Sequence, residues 1–260
     1  MKIGVVGIGT VGYPLFKALE YYHGEDKVFC YDPHTSKPTY NWERILRCDV
    51  VFICVPTDKG KDGRLKMNVV DEVLDKLDDS KFRELVVIKS TLGLGYINEA
   101  IGKHIFNIVV FPEWLRENYA FQDTVNPDLT VVGTNKPELV DVVLEACPWH
   151  KYVKEEKSIH QVKPEEAIMI KLTANALAST KISFANQVML VCEKYDLNPV
   201  NVMDVIRQDP RCAGRYLNPT RGAYGGYCLP KDTSELAYSM SEDNLFKAVE
   251  KVNKVMEKRK

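Results

Sequence analysis

A glycine-rich turn that directly follows a short apolar run limits the folds open to this chain more than any other feature of its sequence. Residues 7–12 read Gly-Ile-Gly-Thr-Val-Gly, between a strand-like run at residues 2–6 and helical spacing over residues 10–23. The first glycine allows a tight turn, the second lets backbone amides approach a pyrophosphate, and the third lets the helix pack against the strand. The turn predicts a dinucleotide-binding βαβ unit; the alternative is a glycine-rich turn in an unrelated α/β fold.

Further strand-like runs alternate with helix-like segments through the first part of the chain. Apolar runs rich in β-branched residues predict five more strands, at residues 27–31, 49–55, 85–89, 106–111 and 129–133. Helical spacing lies between them, as at residues 69–77 and 97–104. This alternation is typical of a parallel sheet with helices on both faces.

The second part of the chain predicts helices alone. After about residue 157 no further strand is expected, and helical spacing covers residues 165–195, 199–207, 233–240 and 244 onward, around a loop at 209–231. The expected fold class is therefore α/β. An N-terminal Rossmann domain with a doubly wound parallel sheet would cover residues 1–158, and an all-helical central domain would cover residues 159–260.

Composition narrows the classes of function. The chain has 260 residues and a formal net charge of −1, so its bulk charge favours neither nucleic acid nor an anionic membrane surface as a partner. No run approaches the roughly 20 apolar residues that cross a bilayer. The seven cysteines are odd in number and form no CxxC pair. This pattern predicts no metal site and a reducing, cytoplasmic setting.

An acidic residue at the end of the second predicted strand suggests the type of dinucleotide. Asp32 stands where a carboxylate would accept a hydrogen bond from the adenosine ribose 2′-OH. No arginine follows at once, which favours NAD over NADP. Lys37, a few residues further on, leaves NADP open and is itself a candidate for contact with the cofactor.

Two pairs of polar residues at helical spacing are candidates for a site. Pro112 suits a first helical turn, and a helix there would bring Glu113 and Glu117 onto one face. That face would meet a substrate, a cation or only solvent. Lys171 and Asn175 repeat the spacing among apolar neighbours, so Lys171 either extends to solvent along them or is fixed in a site.

A cysteine in a glycine-rich loop is a candidate nucleophile. Residues 225–228 read Gly-Gly-Tyr-Cys and lead through Lys231 and Asp232 into a predicted helix. A helix N-terminus and a nearby lysine both favour a thiolate. The alternative is a cysteine that serves only the structure of the loop.

Together these segments resemble the UDP-glucose 6-dehydrogenase and GDP-mannose dehydrogenase family over nearly the whole chain. Seven segments follow the family's order: GIGTVGYP from Gly7, CVPT from Cys54, KST from Lys89, PEWLREN from Pro112, NPDLTVVG from Asn126, IKLTANALASTKISFANQV from Ile170 and YLNPTRGAYGGYCLPKDT from Tyr216. The resemblance implies an enzyme that uses NAD to oxidise the C6 alcohol of a nucleotide sugar to a carboxylate, as in polysaccharide biosynthesis.

The resemblance also implies catalytic roles. Cys228 would capture an aldehyde as a thiohemiacetal, which is then oxidised to a thioester. Lys171 would stabilise the developing oxyanion, with Asn175 as its hydrogen-bonding partner.

Three further residues are implied in the release of the acid. Asp232 and Thr91 would order the catalytic water, and Glu113 would be the general base for thioester hydrolysis.

Binding roles follow from the same resemblance. Contacts with the cofactor are implied for Gly7, Ile8, Gly9, Thr10, Val11, Gly12, Asp32, Lys37, Thr57, Thr91, Glu117 and Lys231. Contacts with the substrate are implied for Glu113, Glu117, Lys171, Asn175, Arg211, Tyr216, Asn218 and Gly225. Among these, Arg211 would reach the substrate of the neighbouring subunit.

The main departure from the family is length. Family members continue into a third domain that binds the nucleotide part of the substrate, and this chain is expected to lack that C-terminal UDP-binding domain. A homodimer through the long central helix is expected, and a separate chain could supply the third domain. Two alternatives stay open: a dehydrogenase for a smaller alcohol, and a truncated, non-catalytic NAD-binding dimeric protein.

Overall fold

The computed structural model of the protein describes residues 1–37, 39–152 and 159–259. These residues form two compact units. The first unit comprises residues 1–57 and 66–171, and the second comprises residues 58–65 and those from 172 onward. The predicted domains were divided after residue 158, which lies outside the described residues.

The first unit is built on a sheet of seven strands. In chain order these are β1 (Ile3–Val6), β2 (Val28–Tyr31), β3 (Val50–Ile53), β4 (Leu85–Ile88), β5 (Asn107–Val110), β6 (Thr130–Gly133) and β7 (Ile159–Val162). The helices that accompany them are α1 (Gly12–His23), α2 (Trp42–Ile45), α3 (Asn68–Asp79), α4 (Tyr96–Lys103), α5 (Ala120–Val125) and α6 (Glu138–Ala146). This alternation confirms the predicted α/β class.

The order of the strands defines where a ligand can bind. Neighbours in the sheet follow the order β2-β1-β3-β4-β5-β6-β7. All adjacent pairs are parallel except β5 and β6, which are antiparallel. The chain moves to one side of β1 to form β2 and then returns to the other side to form β3. In such doubly wound sheets, ligands bind beyond the carboxyl ends of the strands at this switch point.

The inner strands are apolar because both of their faces are covered. Every residue of β1, β3, β4 and β6 is buried, which is typical of a parallel sheet with helices packed on both sides. This burial fixes the positions of the strand ends, and therefore the positions of the residues that follow them.

The strand β7 corrects the prediction that strands stop at about residue 157. Its sequence is Ile-His-Gln-Val, three of its four residues are exposed, and it pairs in parallel with β6 at the edge of the sheet. An edge strand with one partner and exposed side chains has no continuous apolar run, so its hydrophobic pattern was too weak to predict a strand.

Among the described residues of the second unit, the regular elements are helices, and loops connect them. The helix α7 (Pro164–Lys194) contributes its part after Lys171, followed by α8 (Pro199–Ile206), α9 (Cys228–Tyr238) and α10 (Leu245–Glu257). Asn198 and Asn244 cap α8 and α10 by accepting hydrogen bonds from backbone N–H groups of the first turn.

The start of α9 corrects a second prediction. The helix was expected to begin at residue 233, with Cys228 in the preceding loop, but it begins at Cys228 itself. Pro230 is compatible with this start, because N–H groups in the first helical turn have no partner within the helix. Cys228 therefore lies at a helix N-terminus.

The helix predicted from Pro112 is wrong. Residues 111–116 are not helical, and a single 3-10 turn follows at Glu117–Tyr119. Local bonds take the place of helical ones: the Trp114 N–H donates to Glu113 Oε1 at 2.9 Å, and Arg116 donates to Asp123. Glu113 and Glu117 therefore do not share a helical face.

A buried histidine makes the stability of the first unit dependent on pH. His150 is 8% exposed, and its Nδ1 lies 2.8 Å from Thr130 Oγ1. Burial lowers the pKa of His150 from 6.5 to about 3, with a smaller contribution from the charge of Lys89.

Unfolded chains bind a proton at this histidine below pH 6.5, whereas the folded protein does so only near pH 3. We therefore expect the free energy of unfolding to fall as the pH drops through this window, with a slope from this group of up to about 1.4 kcal/mol per pH unit. Urea titrations between pH 7 and pH 4 measure the slope. The His150→Gln variant should show a shallower slope than wild type, and equal slopes would contradict this account.

Candidate active site

The glycine turn has the geometry that its sequence predicts. Gly7 adopts φ +86°, a conformation that favours glycine, and a Cβ built on it would lie 2.8 Å from the carbonyl oxygen of Cys54. A Cβ on Gly12 would lie 1.8 Å from the carbonyl oxygen of Gly7. By contrast, a Cβ on Gly9 would meet no described atom within 4 Å. Gly7 and Gly12 are thus required for packing, and Gly9 leaves open space beside the exposed backbone of the turn.

This open space is suited to the pyrophosphate of a dinucleotide. The turn leads into α1 at Gly12, and the partial positive charge of a helix N-terminus favours a phosphate. The residues present therefore fit NAD. The backbone of residues 7–12, which includes Ile8, Thr10 and Val11, would lie against the pyrophosphate when the cofactor is bound.

The two roles of glycine can be separated by substitution. We expect Gly9→Ala to fold with wild-type thermal stability but to bind NAD roughly tenfold or more weakly, because its methyl group enters the space for the phosphates. Gly12→Ala should instead lower the melting temperature strongly, because its methyl group collides with backbone. Thermal unfolding and calorimetric titration with NAD test the pair. Equal NAD affinity in Gly9→Ala and wild type would contradict the assignment.

The acidic residue after β2 is anchored to the same turn. Asp32 accepts hydrogen bonds from the backbone N–H groups of Ile8 and His34, both at 2.9 Å. Lys37 Nζ donates to the carbonyl oxygen of Ile8 at 3.3 Å and lies 4.1 Å from the ring centroid of Tyr13. The structure thus brings Asp32 and Lys37 together at the glycine turn.

The remaining predicted residues of the first unit follow the carboxyl ends of neighbouring strands. Thr57 comes after β3 and is buried, Thr91 comes after β4 and is half-buried, and Glu113 comes after β5 and is buried. Because the carboxyl ends of parallel strands meet at one edge, the topology places these residues along the edge that also carries the glycine turn. Glu117 lies further along the chain and is exposed in the 3-10 turn.

Glu113 is the centre of a cluster with two lysines. Its carboxylate oxygen Oε2 lies 3.0 Å from Lys89 Nζ, and both side chains are buried. Lys171 Nζ donates to the backbone carbonyl oxygen of Glu113 at 2.5 Å and lies 5.0 Å from the ring centroid of Trp114. Lys171 is therefore fixed in position rather than extended to solvent.

Lys89 begins the KST segment, but no role was predicted for it. The sequence feature that could have identified it is a charged residue directly after the buried apolar strand β4, where a lysine needs a partner. That partner, Glu113, is distant in the sequence and could be identified only in the fold.

The second unit carries a cluster around the predicted nucleophile. Asp232 is fully buried; its Oδ1 accepts a hydrogen bond from Lys231 Nζ at 2.7 Å and its Oδ2 accepts one from Asn175 Nδ2 at 2.6 Å. Cys228 is exposed and lies one helical turn before Asp232 in α9. The structure thus joins Asn175, Lys231 and Asp232 and leaves the thiol open to solvent.

The other cysteines differ from Cys228 in burial. Five of the seven are buried, and only Cys212 shares the exposure of Cys228. Burial raises the pKa of Cys54 and of Cys147 to about 12. These two thiols stay protonated near neutral pH and are poor nucleophiles.

The loop before α9 is held by asparagines that the sequence analysis missed. Asn253 on α10 accepts a hydrogen bond from the Tyr224 N–H at 2.7 Å and donates to the Tyr224 carbonyl oxygen at 3.0 Å. Asn186 on α7 donates to the Gly222 carbonyl oxygen at 2.9 Å. Both asparagines are buried. The sequence feature that could have identified them is a polar residue among apolar helix positions.

The predicted substrate residues in this loop differ in their described surroundings. Arg211 is exposed and pairs with Asp209, and Asn218 accepts hydrogen bonds from Thr220. Tyr216 is half-buried at φ +75°. Gly225 is exposed, and no described atom lies within 4 Å of a Cβ built on it.

Residues 63–65, in the segment between β3 and α3, form hydrogen bonds with α9. Glu235 is fully buried and accepts hydrogen bonds from Arg64 Nε at 2.9 Å and from the Leu65 N–H at 2.7 Å. Ser234 donates to the Gly63 carbonyl oxygen at 2.8 Å. This contact fixes the helix that begins at Cys228, and sequence reasoning did not predict it.

The described residues contain neither a candidate metal site nor a candidate membrane-spanning helix. No group of three or more His, Cys, Asp or Glu side chains among them could hold a metal ion. None of the helices in this part of the chain is long and apolar enough to cross a membrane.

Comparison with known protein families gives two matches. Residues 35–146 match the NAD-binding domain of the UDP-glucose/GDP-mannose dehydrogenase family, and residues 165–255 match the central domain of the same family. The matches cover Thr57, Thr91 and Glu113, which follow β3, β4 and β5, and the helices that carry Lys171 and Cys228.

Individual relatives agree with this result. A UDP-glucose 6-dehydrogenase of Streptococcus pneumoniae is 38% identical over an alignment that covers 98% of this chain and 73% of that protein. A GDP-mannose 6-dehydrogenase of Pseudomonas aeruginosa is 32% identical over 76% of this chain and 48% of its own length. The solved structure of a UDP-glucose dehydrogenase from Pyrobaculum islandicum superposes with a TM-score of 0.82 at 26% identity, covering 99% of this chain and 68% of that one.

Proposed function

This chain belongs to the UDP-glucose/GDP-mannose dehydrogenase family, and from that premise we propose that it oxidises the C6 alcohol of a nucleotide sugar to a carboxylate through a thioester on Cys228. The observation that carries the proposal is the exposed thiol at the first residue of α9, one turn before the buried Asp232. A helix N-terminus favours an anionic group, and so favours a thiolate at this position.

The glycine turn would hold NAD, and two successive NAD molecules would supply the hydride acceptor for two oxidations. The first oxidation gives an aldehyde. The Cys228 sulfur then adds to the aldehyde carbon and forms a carbon–sulfur bond, and the thiohemiacetal so formed is an alcohol that can lose a second hydride. The product of the second oxidation is a thioester. Water then adds to the thioester carbon, the carbon–sulfur bond breaks, and the thiol is restored with release of the acid.

Each polar group of the site has its own role in these steps. We assign Lys171 to the substrate oxygen, which carries negative charge as the alcohol and the thiohemiacetal lose their protons in the two oxidations and as the thiol or water adds to the carbon. Asn175 would bind the same oxygen, and its bond to Asp232 supports this role by fixing the amide. Asp232 and Thr91 would order the water, and Glu113 would accept its proton.

The remaining assignments concern binding. We propose that Asp32, Lys37, Thr57, Glu117 and Lys231 contact the cofactor. We propose that Arg211, Tyr216, Asn218 and Gly225 contact the substrate, with Glu113, Glu117, Lys171 and Asn175.

The test compares the amounts of NADH and of acid that the chain forms. The purified chain is mixed with NAD and, in separate reactions, UDP-glucose, GDP-mannose and a panel of small alcohols, and NADH and acid are both measured. We expect two NADH and one carboxylate for each nucleotide sugar consumed. Acid formed only from a small alcohol would support the smaller-alcohol alternative. NAD binding without turnover on any substrate would overturn the proposal in favour of a non-catalytic protein.

We also propose that the chain forms a homodimer through α7. Leu177, Phe184 and Val191 are spaced seven residues apart, so they lie on one face of this helix, and their exposed fractions are 52%, 55% and 48%. An exposed apolar stripe of this kind is typical of a protein interface.

The thiol chemistry further requires a reducing compartment, which supports a cytoplasmic location.

The dimer makes a prediction about mass in solution. We expect Phe184→Glu to reduce the mass measured by analytical ultracentrifugation from that of a dimer to that of a monomer, because a charge would be buried without a partner. Tyr21→Glu is the matched control, since Tyr21 is an exposed aromatic residue of α1. A wild-type protein that is monomeric at the highest concentration measured would contradict the proposal.

A further inference from the structure

We propose that Lys89 is a positioning residue for thioester hydrolysis: its ammonium group forms an ion pair with the Glu113 carboxylate and holds it in the orientation to take a proton from water. This inference rests on the proposed function and adds a residue to it. It concerns a contact within the first unit, between the residue that follows β4 and a residue beyond β5.

The geometry of the pair shows a carboxylate whose two oxygens are both engaged. Lys89 Nζ lies 3.0 Å from Glu113 Oε2, and the Trp114 N–H donates to Glu113 Oε1 at 2.9 Å. Lys89 is 4% exposed and Glu113 is 8% exposed. Two contacts on different oxygens define the plane of the carboxylate, and burial keeps solvent from competing for either contact.

Other contacts fix the lysine itself. Lys89 Nζ lies 3.5 Å from the carbonyl oxygen of Phe111, to which it donates, and 4.2 Å from the centroid of the Phe111 ring. Lys171 Nζ donates to the backbone carbonyl oxygen of Glu113. The ammonium of Lys89 thus points to the Glu113 carboxylate, whereas the bond described for Lys171 is to the backbone.

Three titratable groups near this pair carry no charge near neutral pH. Burial raises the pKa of Cys54 and Cys147 to about 12, and it lowers the pKa of His150 to about 3. Among the contacts that the structure describes, the Lys89 ammonium approaches the Glu113 carboxylate and the Lys171 ammonium approaches the Glu113 carbonyl oxygen.

A role in catalysis explains why charge is kept in this buried position. A buried ion pair gives little net stability compared with apolar side chains of similar volume, so packing alone does not call for one. A general base, however, must be oriented toward the water from which it takes a proton. An ion pair with a buried lysine supplies that orientation.

The chemical step is a hydrolysis. The oxygen of water bonds to the thioester carbon, its proton moves to Glu113, the carbon–sulfur bond breaks, and the electron pair of that bond leaves with the Cys228 sulfur. No oxidant or reductant takes part. Loss of Lys89 should therefore slow the release of acid and leave both oxidations intact.

The test is pre-steady-state NADH formation with saturating UDP-glucose and NAD in wild type, Lys89→Met, Glu113→Gln and the double variant. We expect each single variant to produce a burst of two NADH per active site, followed by turnover about 100-fold slower than in wild type. Because Lys89 acts through Glu113, the double variant should be no slower than Glu113→Gln alone. Because only the step after thioester formation slows, kcat and the KM for UDP-glucose should fall together, and kcat/KM should be unchanged.

Controls separate this role from a structural one. Lys103→Met removes a lysine from an exposed ion pair with Asp75 in the same unit and should turn over at the wild-type rate. If Lys89→Met does not fold, Lys89→Gln retains a hydrogen-bond donor without the charge and should show the same burst. Losses that multiply in the double variant, or slow turnover without a burst, would overturn the inference alone. A wild-type protein that forms no NADH would overturn the proposed function, and the inference with it.

Discussion

The Cys228→Ser variant is expected to form carboxylate from a nucleotide sugar on the order of 10⁴-fold more slowly than wild type. A serine hydroxyl is far less nucleophilic than a thiolate near neutral pH, so the aldehyde is not captured and the second oxidation stops. Some NADH from the first oxidation should remain, with aldehyde rather than acid as its product. Chromatographic separation of the aldehyde from the acid measures this directly.

The control for this prediction is a second exposed thiol. Cys212 lies in the same unit as Cys228 and is also exposed, so Cys212→Ser should form acid at the wild-type rate. Loss of acid formation in Cys212→Ser, or its retention in Cys228→Ser, would contradict the assignment of the nucleophile.

Replacement of Lys171 by methionine should lower kcat by 10²- to 10³-fold, the range measured when one donor to a developing oxyanion is removed. The ammonium is fixed by its 2.5 Å bond to the Glu113 carbonyl oxygen, so its position needs no reorganisation during the reaction. Single-turnover measurement of NADH formation is the readout. Because the oxidations themselves slow, no burst should precede turnover, in contrast to the expectation for Lys89→Met.

The matched control lies on the same helix. Lys194 is an exposed lysine in the last turn of α7, and Lys194→Met should leave kcat unchanged. Wild-type rates in Lys171→Met, or a rapid burst followed by slow turnover, would show that Lys171 does not stabilise the charge formed in the oxidations.

The parts of the fold that were predicted correctly share one physical property. β1, β3, β4 and β6 are buried on both faces and therefore appear in the sequence as apolar runs. The long helix α7 has no glycine or proline after Pro164, so helical spacing runs through it without a break. The glycine turn was equally clear, because steric limits at Gly7 and Gly12 allow few other residues.

The errors arose where tertiary contacts outweigh local pattern. β7 is an exposed edge strand that pairs with β6, and this contact is not visible in a sequence of Ile-His-Gln-Val. The helix predicted from Pro112 was wrong because Glu113 is instead fixed by Lys89 and by the Trp114 N–H. A local pattern at helical spacing does not reveal a partner elsewhere in the chain.

The candidate site was predicted unevenly for the same reason. Cys228 and Asp232 share one helix, and Lys171 and Asn175 share another, so local spacing pointed to them. The bond between Asn175 and Asp232, and the ion pair of Lys89 with Glu113, join residues far apart in the chain. Such pairings depend on the fold, and a single sequence does not contain them.

The most direct test of covalent catalysis is the mass of the protein during turnover. Wild type and Glu113→Gln are mixed with UDP-glucose and NAD, quenched in acid within one turnover, and measured by intact and peptide mass spectrometry. The account predicts an added mass equal to the acyl group of the sugar nucleotide, located on the peptide that contains Cys228, and larger in amount in Glu113→Gln. Full turnover with no adduct in either protein, or an adduct on another residue, would contradict it.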